Sequence, residues 1–223
     1  MKALIVQHEE ATPAGLVYDW LDSHGAEAAA YRIDVDGRDV DPSKYDLIIP
    51  LGSEFAAFDD HIDWIPRERA LLRGAIDADV SVLGICFGGQ QLARELGGRS
   101  FRAGVSEIGW LPVRTSDPEL VPEGPWFQWH FDTFTAPPGA TVVAETEVGP
   151  QAYTIGRSMG VQFHPEVTPT IMDDWVRVYR HELDAEGVDP DALLEQTHAR
   201  AEENRKTSWR LLDAFLERVA RLT

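Results

Sequence analysis

Cysteine is almost missing from this chain of 223 residues: Cys86 stands alone. One thiol cannot close an intramolecular disulfide or build a multi-thiolate metal site, so a disulfide scaffold is excluded. Long apolar runs are also missing. Nothing approaches the roughly 20 residues that span a bilayer, and the apolar residues 3–6 are too few for the core of a signal peptide. Basic residues are scarce, 20 Lys and Arg against 38 Asp and Glu, and the formal charge of −18 repels phosphate backbones and anionic lipid surfaces. Nucleic acid and membranes are therefore disfavoured as partners. There is no repeat, no low-complexity tract, no phosphate-binding G-x-x-x-x-G-K-[ST] loop and no dinucleotide fingerprint, so no cofactor is expected. His8, His24, His61, His130, His181 and His198 are scattered without a paired ligand spacing, and no metal is expected either. What remains is a cytoplasmic, reduced globule in which Cys86 is a free thiol.

Three short apolar runs, residues 3–6, 47–50 and 80–85, are bounded by polar or turn residues and read as buried parallel strands. Helices are expected over residues 13–23, with Thr12 as the N-cap and Pro13 in the first turn, and over 67–78 and 89–96. This alternation predicts an α/β fold: a three-layer, doubly wound, mostly parallel sheet with right-handed crossovers. From about residue 99 to 163 the chain is punctuated by glycine and proline. Residues 109–114, 140–145 and 152–155 read there as antiparallel strands added at the sheet edge. Helices resume over 169–183 and from Pro190 onward. The last stretch lines Leu212, Phe215, Leu216 and Val219 along one face, which suits packing on this chain's own sheet or on a partner. The expected division is residues 1–185 as the main domain and 186–223 as a helical extension packed on it.

The chemistry concentrates at Gly84-Ile85-Cys86-Phe87-Gly88-Gly89-Gln90. A buried strand enters a tight turn, glycines two residues to either side leave room for it, and a helix begins just beyond, the steric logic of the G-x-S-x-G nucleophile elbow. The following helix N-terminus adds partial positive charge, which favours thiolate over a thiol that is ordinarily ionised only above about pH 8.5. A lone intracellular cysteine is more often a small buried hydrophobe, but this context points to a nucleophile.

A base and its orienting group are offered by Gln162-Phe163-His164-Pro165-Glu166. In an extended chain His164 and Glu166 face the same side, and Pro165 biases His164 toward that geometry. Glu166 would then hold one ring nitrogen and leave the other for the Cys86 sulfur. Taken alone, the same pair would suit a strand-end histidine beside a solvated glutamate.

Together these segments resemble the class I glutamine amidotransferases, with the G-x-C-x-G-x-Q elbow at Gly84–Gln90 and the H-P-E element at His164-Pro165-Glu166. The resemblance covers about residues 1–185 and implies a flavodoxin-like fold and a Cys-His-Glu triad: Cys86 as nucleophile, His164 as general base and acid, Glu166 as orienting carboxylate. Gln90 resembles a glutamine-binding side chain. Trp129-His130-Phe131-Asp132 looks like the family's substrate loop, although tryptophan beside histidine suits edge-strand packing equally well. Glu107-Ile108-Gly109-Trp110 resembles a family strand near the site, with packing as its only evident role. Where the family's oxyanion loop reads Gly-Gly-Pro, this chain has Pro50-Leu51-Gly52-Ser53. The N–H groups of Gly52 and Phe87 remain able to form the oxyanion hole, while Leu51 restricts the loop.

The resemblance implies hydrolysis of the glutamine side-chain amide through a cysteinyl thioester, with ammonia delivered to a separate synthetase. A partner-independent γ-glutamyl hydrolase or peptidase would use the same residues. A catalytically silent binding protein is the third class, and Leu51 is the feature that favours it.

Overall fold

Alternate residues of each central strand feed opposite cores. In β1 (Lys2–Gln7), Ala3 and Ile5 join one apolar cluster while Leu4 and Val6 join another. The same split separates Leu47 and Ile49 from Ile48 in β3 (Leu47–Pro50), and Leu83 and Ile85 from Val82 in β4 (Ser81–Ile85). A strand that is apolar on both faces has to be covered on both, and this sets the three layers. The computed structural model describes residues 1–222. On one face lie α2 (Trp64–Asp77) and α3 (Phe87–Glu95); on the other lie α1 (Leu16–Ser23) and α6 (Pro190–Ala214).

Completing the sheet are β2 (Glu27–Arg32), β6 (Arg114–Thr115), β8 (Thr141–Glu145), β9 (Pro150–Ile155) and β10 (Ser158–Val161), in the order β2-β1-β3-β4-β10-β9-β8-β6. The first five strands run parallel, and β9 and β8 extend the edge antiparallel as expected, followed by the two-residue β6; the edge strand expected over 109–114 is instead mostly the end of β5, outside this sheet. One part of the 99–163 region does otherwise. β5 (Arg99–Leu111) and β7 (Trp126–Thr135) leave the sheet and form a separate two-stranded ribbon, bulged between Arg102 and Glu107. The face of β7 that carries Phe127 and Trp129 packs on α4 (Pro169–Val178) and α5 (Arg180–Glu186) in a third apolar cluster.

Other expectations shift by local causes. Helix α1 begins at Leu16, not Pro13, because Gly15 turns the chain with φ 42° and Leu16 N–H donates to the Glu166 carbonyl at 2.9 Å. Thr12 therefore caps nothing; its hydroxyl donates to Glu9 O instead. The helix expected over 169–183 is two, broken at Tyr179. Helix α3 starts two residues early, directly after Cys86. Strand β2 is unheralded, because Glu-Ala-Ala-Ala-Tyr-Arg lies at the sheet edge, mostly exposed, with no β-branched residue to mark it.

The C-terminal helix belongs to the core. Leu211, Leu212, Phe215 and Val219 are buried in the same cluster as β1 and α1. After α6 the chain makes a π-helical turn, residues Phe215–Ala220, whose Ala220 carbonyl accepts two hydrogen bonds from Arg157. No helix among the described residues is long and apolar enough to cross a membrane.

Candidate active site

β4 delivers Cys86 to the end of the parallel strands, where its backbone takes φ 51° and ψ −108°. A positive φ is costly for any residue with a Cβ. It is held by the Cys86 N–H donating to Val161 O at 2.8 Å and by the Gln90 N–H donating back to Cys86 O at 3.0 Å. Gly84 and Gly88 lie so close that a Cβ on Gly84 would meet the Gly88 carbonyl. The turn closes only because Gly84 lacks a side chain, and a Cβ on Gly88 would run into the Pro50 carbonyl of β3. The turn places the thiol at the N-terminus of α3, 6% exposed, on the wall of a cavity.

β10 delivers the second part. After Val161 the chain leaves the extended form, bending at Gln162 and Phe163 and turning at Pro165 and Glu166; this turn, rather than the strand alternation expected, brings His164 and Glu166 together. His164 Nδ1 lies 2.7 Å from Glu166 Oε1, and both residues are buried. A carboxylate on Nδ1 fixes the tautomer and leaves Nε2 for the cavity, where it has no hydrogen-bond partner among the described residues. Burial by itself lowers the pKa of His164, but the Glu166 carboxylate and Cys86 outweigh it and push it up to about 10. The imidazolium form is therefore favoured beside the sulfur. Trp175 packs edge-on against the His164 ring, centroids 4.9 Å apart, and its indole N–H donates to Ala11 O.

Gly52 approaches from the end of β3. A Cβ there would sit 3.0 Å from His164 Cε1 and 3.8 Å from Cys86 Cβ, so only glycine leaves the imidazole in place. Leu51 settles without strain: it is buried at 1% exposure, its φ is negative, its N–H donates to Val6 O and its carbonyl accepts from Gly88 N–H, both at 3.0 Å. The N–H groups of Gly52 and Phe87 have no hydrogen-bond partner among the described residues.

The cavity measures about 490 Å³ and brings together Cys86, His164, Gly52, Phe87, Gln90, His130, Phe131 and Asp132. Glu166 stands behind His164, outside the lining. Gln90 is largely occupied: its Nε2 donates to Asp132 O at 3.3 Å and Gln162 Oε1 at 3.1 Å, and its Oε1 accepts from Ser100. His130 donates from Nδ1 to Asp132 O at 3.0 Å, and its Nε2 lies 3.1 Å from Glu107 Oε2. Burial raises the pKa of Glu107, but the bond and charge of His130 outweigh it and hold the carboxyl low. Glu107 thus has a role beyond packing. The Asp132 carboxyl is pushed up by burial, with Arg102 3.7 Å away as partial compensation.

Among the neighbours that escaped the sequence are Gln162, Tyr179 and Glu9. Gln162 is fully buried and its Nε2 donates to Cys86 Sγ at 3.5 Å; its place two residues before His164 was the available signal. Tyr179 and Glu9 line the cavity from α5's N-terminal boundary and the loop after β1, and no local pattern marked either. Among the described residues, no group of three or more His, Cys, Asp or Glu side chains is arranged to hold a metal ion.

The family described as glutamine amidotransferase class-I matches residues 19–177, most of the chain. The chain belongs to the class-I glutamine amidotransferases. A glutamine amidotransferase from Thermotoga maritima shares the fold at a TM-score of 0.89 with 29% sequence identity, covering 97% of this chain and 98% of that one. Another from Methylobacillus flagellatus, at 24% identity and a TM-score of 0.88, agrees in fold. The glutamine-hydrolysing GMP synthase of Thermus thermophilus is 50% identical over 97 residues, which cover 40% of this chain. That alignment takes in 19% of the synthase's own length, so this amidotransferase chain is similar to a part of that protein.

Proposed function

We propose that this chain hydrolyses the side-chain amide of glutamine and supplies ammonia to a separate synthetase. The observation that carries the proposal is the His164–Glu166 pair, 2.7 Å apart, set beside Cys86 at a strained strand-to-helix turn inside one cavity. The Cys86 thiolate attacks the amide carbon of glutamine, and the N–H groups of Gly52 and Phe87 receive the charge that develops on the carbonyl oxygen. The tetrahedral intermediate collapses as His164 Nε2–H protonates the departing nitrogen, releasing ammonia and leaving a γ-glutamyl thioester. His164, now neutral, takes a proton from water. The hydroxide attacks the thioester carbon, the C–S bond breaks, and glutamate leaves. Glu166 keeps the imidazole in its tautomer throughout. His130, Phe131, Asp132 and Gln90 shape the end of the cavity that receives the amino-acid head of the substrate.

Similarity to glutamine-hydrolysing GMP synthases supports ammonia transfer to a nucleotide-forming synthetase as the coupled step. In this reading the protein works in the cytoplasm, with residues 1–185 as the amidotransferase unit and 186–223 as an extension packed on it. A second reading, γ-glutamyl hydrolysis without a partner, is favoured by the size of the cavity. At about 490 Å³ it falls in the range of about 300–1,000 Å³ typical of drug-sized ligands, well above what glutamine fills.

The test offers the purified protein L-glutamine and, separately, γ-glutamyl dipeptides, and follows glutamate release for the wild type and Cys86→Ala. Release from glutamine that the variant lacks supports the proposal. Rapid dipeptide cleavage with slow glutamine turnover moves the assignment to γ-glutamyl hydrolysis. Inertness toward both, with and without a synthetase, leaves a binding protein.

A further inference from the structure

One buried ion pair lies outside the triad and touches both residues of the oxyanion hole. His8 follows β1 and is 1% exposed; Glu68, on α2, is fully buried. His8 Nδ1 is 2.9 Å from the carbonyl oxygen of Gly52, and Nε2 is 2.5 Å from Glu68 Oε2. The ring stacks on Trp64 at a centroid distance of 5.0 Å and packs against Phe87 at 4.8 Å.

A carbonyl only accepts, so Nδ1 carries a proton and donates it to Gly52. Nε2 and Glu68 then share the other. Burial lowers the His8 pKa, but the charge and hydrogen bond of Glu68 and the Gly52 carbonyl outweigh it and raise it. Such a pair is expensive inside a protein, where an apolar pair of similar volume would stabilise the fold as well or better. Glu68 Oε1 has no hydrogen-bond partner among the described residues, which raises that cost.

The pair completes a clamp on the loop. The carbonyl of Leu51 is held by Gly88 N–H at 3.0 Å and that of Gly52 by His8. The Gly52 N–H shares a planar peptide with the Leu51 carbonyl, so the Gly88 bond sets its direction, and the His8 bond fixes the peptide that follows, so that rotation about Gly52 cannot let the loop shift.

We propose that His8, held by Glu68, is the positioning residue of the oxyanion hole, hydrogen-bonding the Gly52 carbonyl and packing on Phe87 so that both N–H donors converge. The inference rests on the glutamine-hydrolysis reading for its kinetic consequence, but its structural consequence can be measured without turnover.

The experiment compares two double variants, chosen so that no unpaired charge is left buried. His8→Phe with Glu68→Leu keeps the volume and removes the hydrogen bond to Gly52. His8→Asn with Glu68→Gln keeps a donor near the Nδ1 position. The Phe/Leu variant is expected to lose about 10- to 100-fold in kcat for glutamine with KM within about threefold, part of the 10²–10³ that a whole oxyanion donor is worth. Alkylation of Cys86 by iodoacetamide should stay at the wild-type rate, and the Asn/Gln variant should recover most of kcat. In parallel, ¹⁵N relaxation of the Gly52 amide should report a rigid N–H in the wild type, with an order parameter near about 0.85, and a mobile one in the Phe/Leu variant. Wild-type kcat or an equally rigid Gly52 in the Phe/Leu variant overturns the proposal. So does an Asn/Gln variant no better than Phe/Leu, or a rise in KM at constant kcat. If the wild type itself turns over no glutamine, the functional reading fails and the Gly52 order parameters still decide the positioning role. If the Phe/Leu variant does not fold, the Asn/Gln variant carries the test against Glu68→Gln alone.

Discussion

Gly15 lies against the backbone of Glu166: a Cβ built on it would overlap the Glu166 carbonyl oxygen, and the next N–H, that of Leu16, donates to that oxygen at 2.9 Å. The start of α1 is thus docked on the carboxylate residue of the proposed triad. Substituting Gly15 forces a side chain into a positive φ and pushes Glu166 away from His164.

Gly15→Ala is therefore expected to act on stability and activity together. The positive φ alone costs about 1–3 kcal/mol, or roughly 2–12 °C in Tm for a chain of this size. Glutaminase kcat should fall at least tenfold because the carboxylate that orients His164 moves with its backbone. Thermal melts and steady-state kinetics on the same preparation check both, and a variant with a lowered Tm and unchanged kcat would refute the link.

Cys86 carries strain that its chemistry requires. With φ 51° and ψ −108°, it occupies a conformation glycine enters far more easily. Cys86→Gly is expected to be inactive and yet more stable than Cys86→Ala by about 1 kcal/mol, a Tm difference of roughly 2–4 °C. Differential scanning calorimetry of the two inactive variants measures it, and equal Tm values would remove strain from the account.

The pH dependence of stability follows from His164. Its folded pKa, pushed up to about 10, exceeds the unfolded value of about 6.5, so its contribution is fully present below about pH 6.5. That contribution is lost progressively as pH rises toward 10. Wild-type Tm should therefore fall more steeply between about pH 7 and 10 than that of His164→Gln. Cys86→Ala, which removes one of the causes of the raised pKa, should fall in between. Parallel slopes for the three proteins would contradict the assignment.

Phe215 tests whether the C-terminal helix is part of the core. Its ring is fully buried in the cluster that includes Val17, Trp20 and Leu211. Phe215→Ala is expected to cost about 3–5 kcal/mol, roughly 6–20 °C in Tm. A loss below about 1 kcal/mol would mean that residues 186–223 are an appendage that the rest of the fold does not need.

Much of the site was legible because its signals are local. The elbow needs small residues within two positions of Cys86, and a separation of two residues across Pro165 keeps His164 and Glu166 within reach of each other, although a turn and not an extended strand joins them. Gln162 lies in the same short segment. Glu107 could not be read so: it sits in a bulged ribbon, and its value depends on His130 from the opposite strand. His8 looked like one more unassigned histidine. Its partners, Gly52 and Glu68, are 44 and 60 residues away, and no spacing along the chain encodes that meeting.

By itself the sequence determined the alternation of buried strands and helices, the turn at Cys86 and the pairing of His164 with Glu166, because periodicity, glycine sterics and proline act over a few residues. Tertiary structure decided what depends on distant chain segments meeting. It put β5 and β7 into a ribbon apart from the sheet, moved the start of α1 to Leu16 through the Glu166 carbonyl, folded the C-terminal helix into the core, and brought His8 under Gly52. Each of these is a contact between groups whose own sequence neighbourhoods are unremarkable, so its energy exists only once the chain is folded.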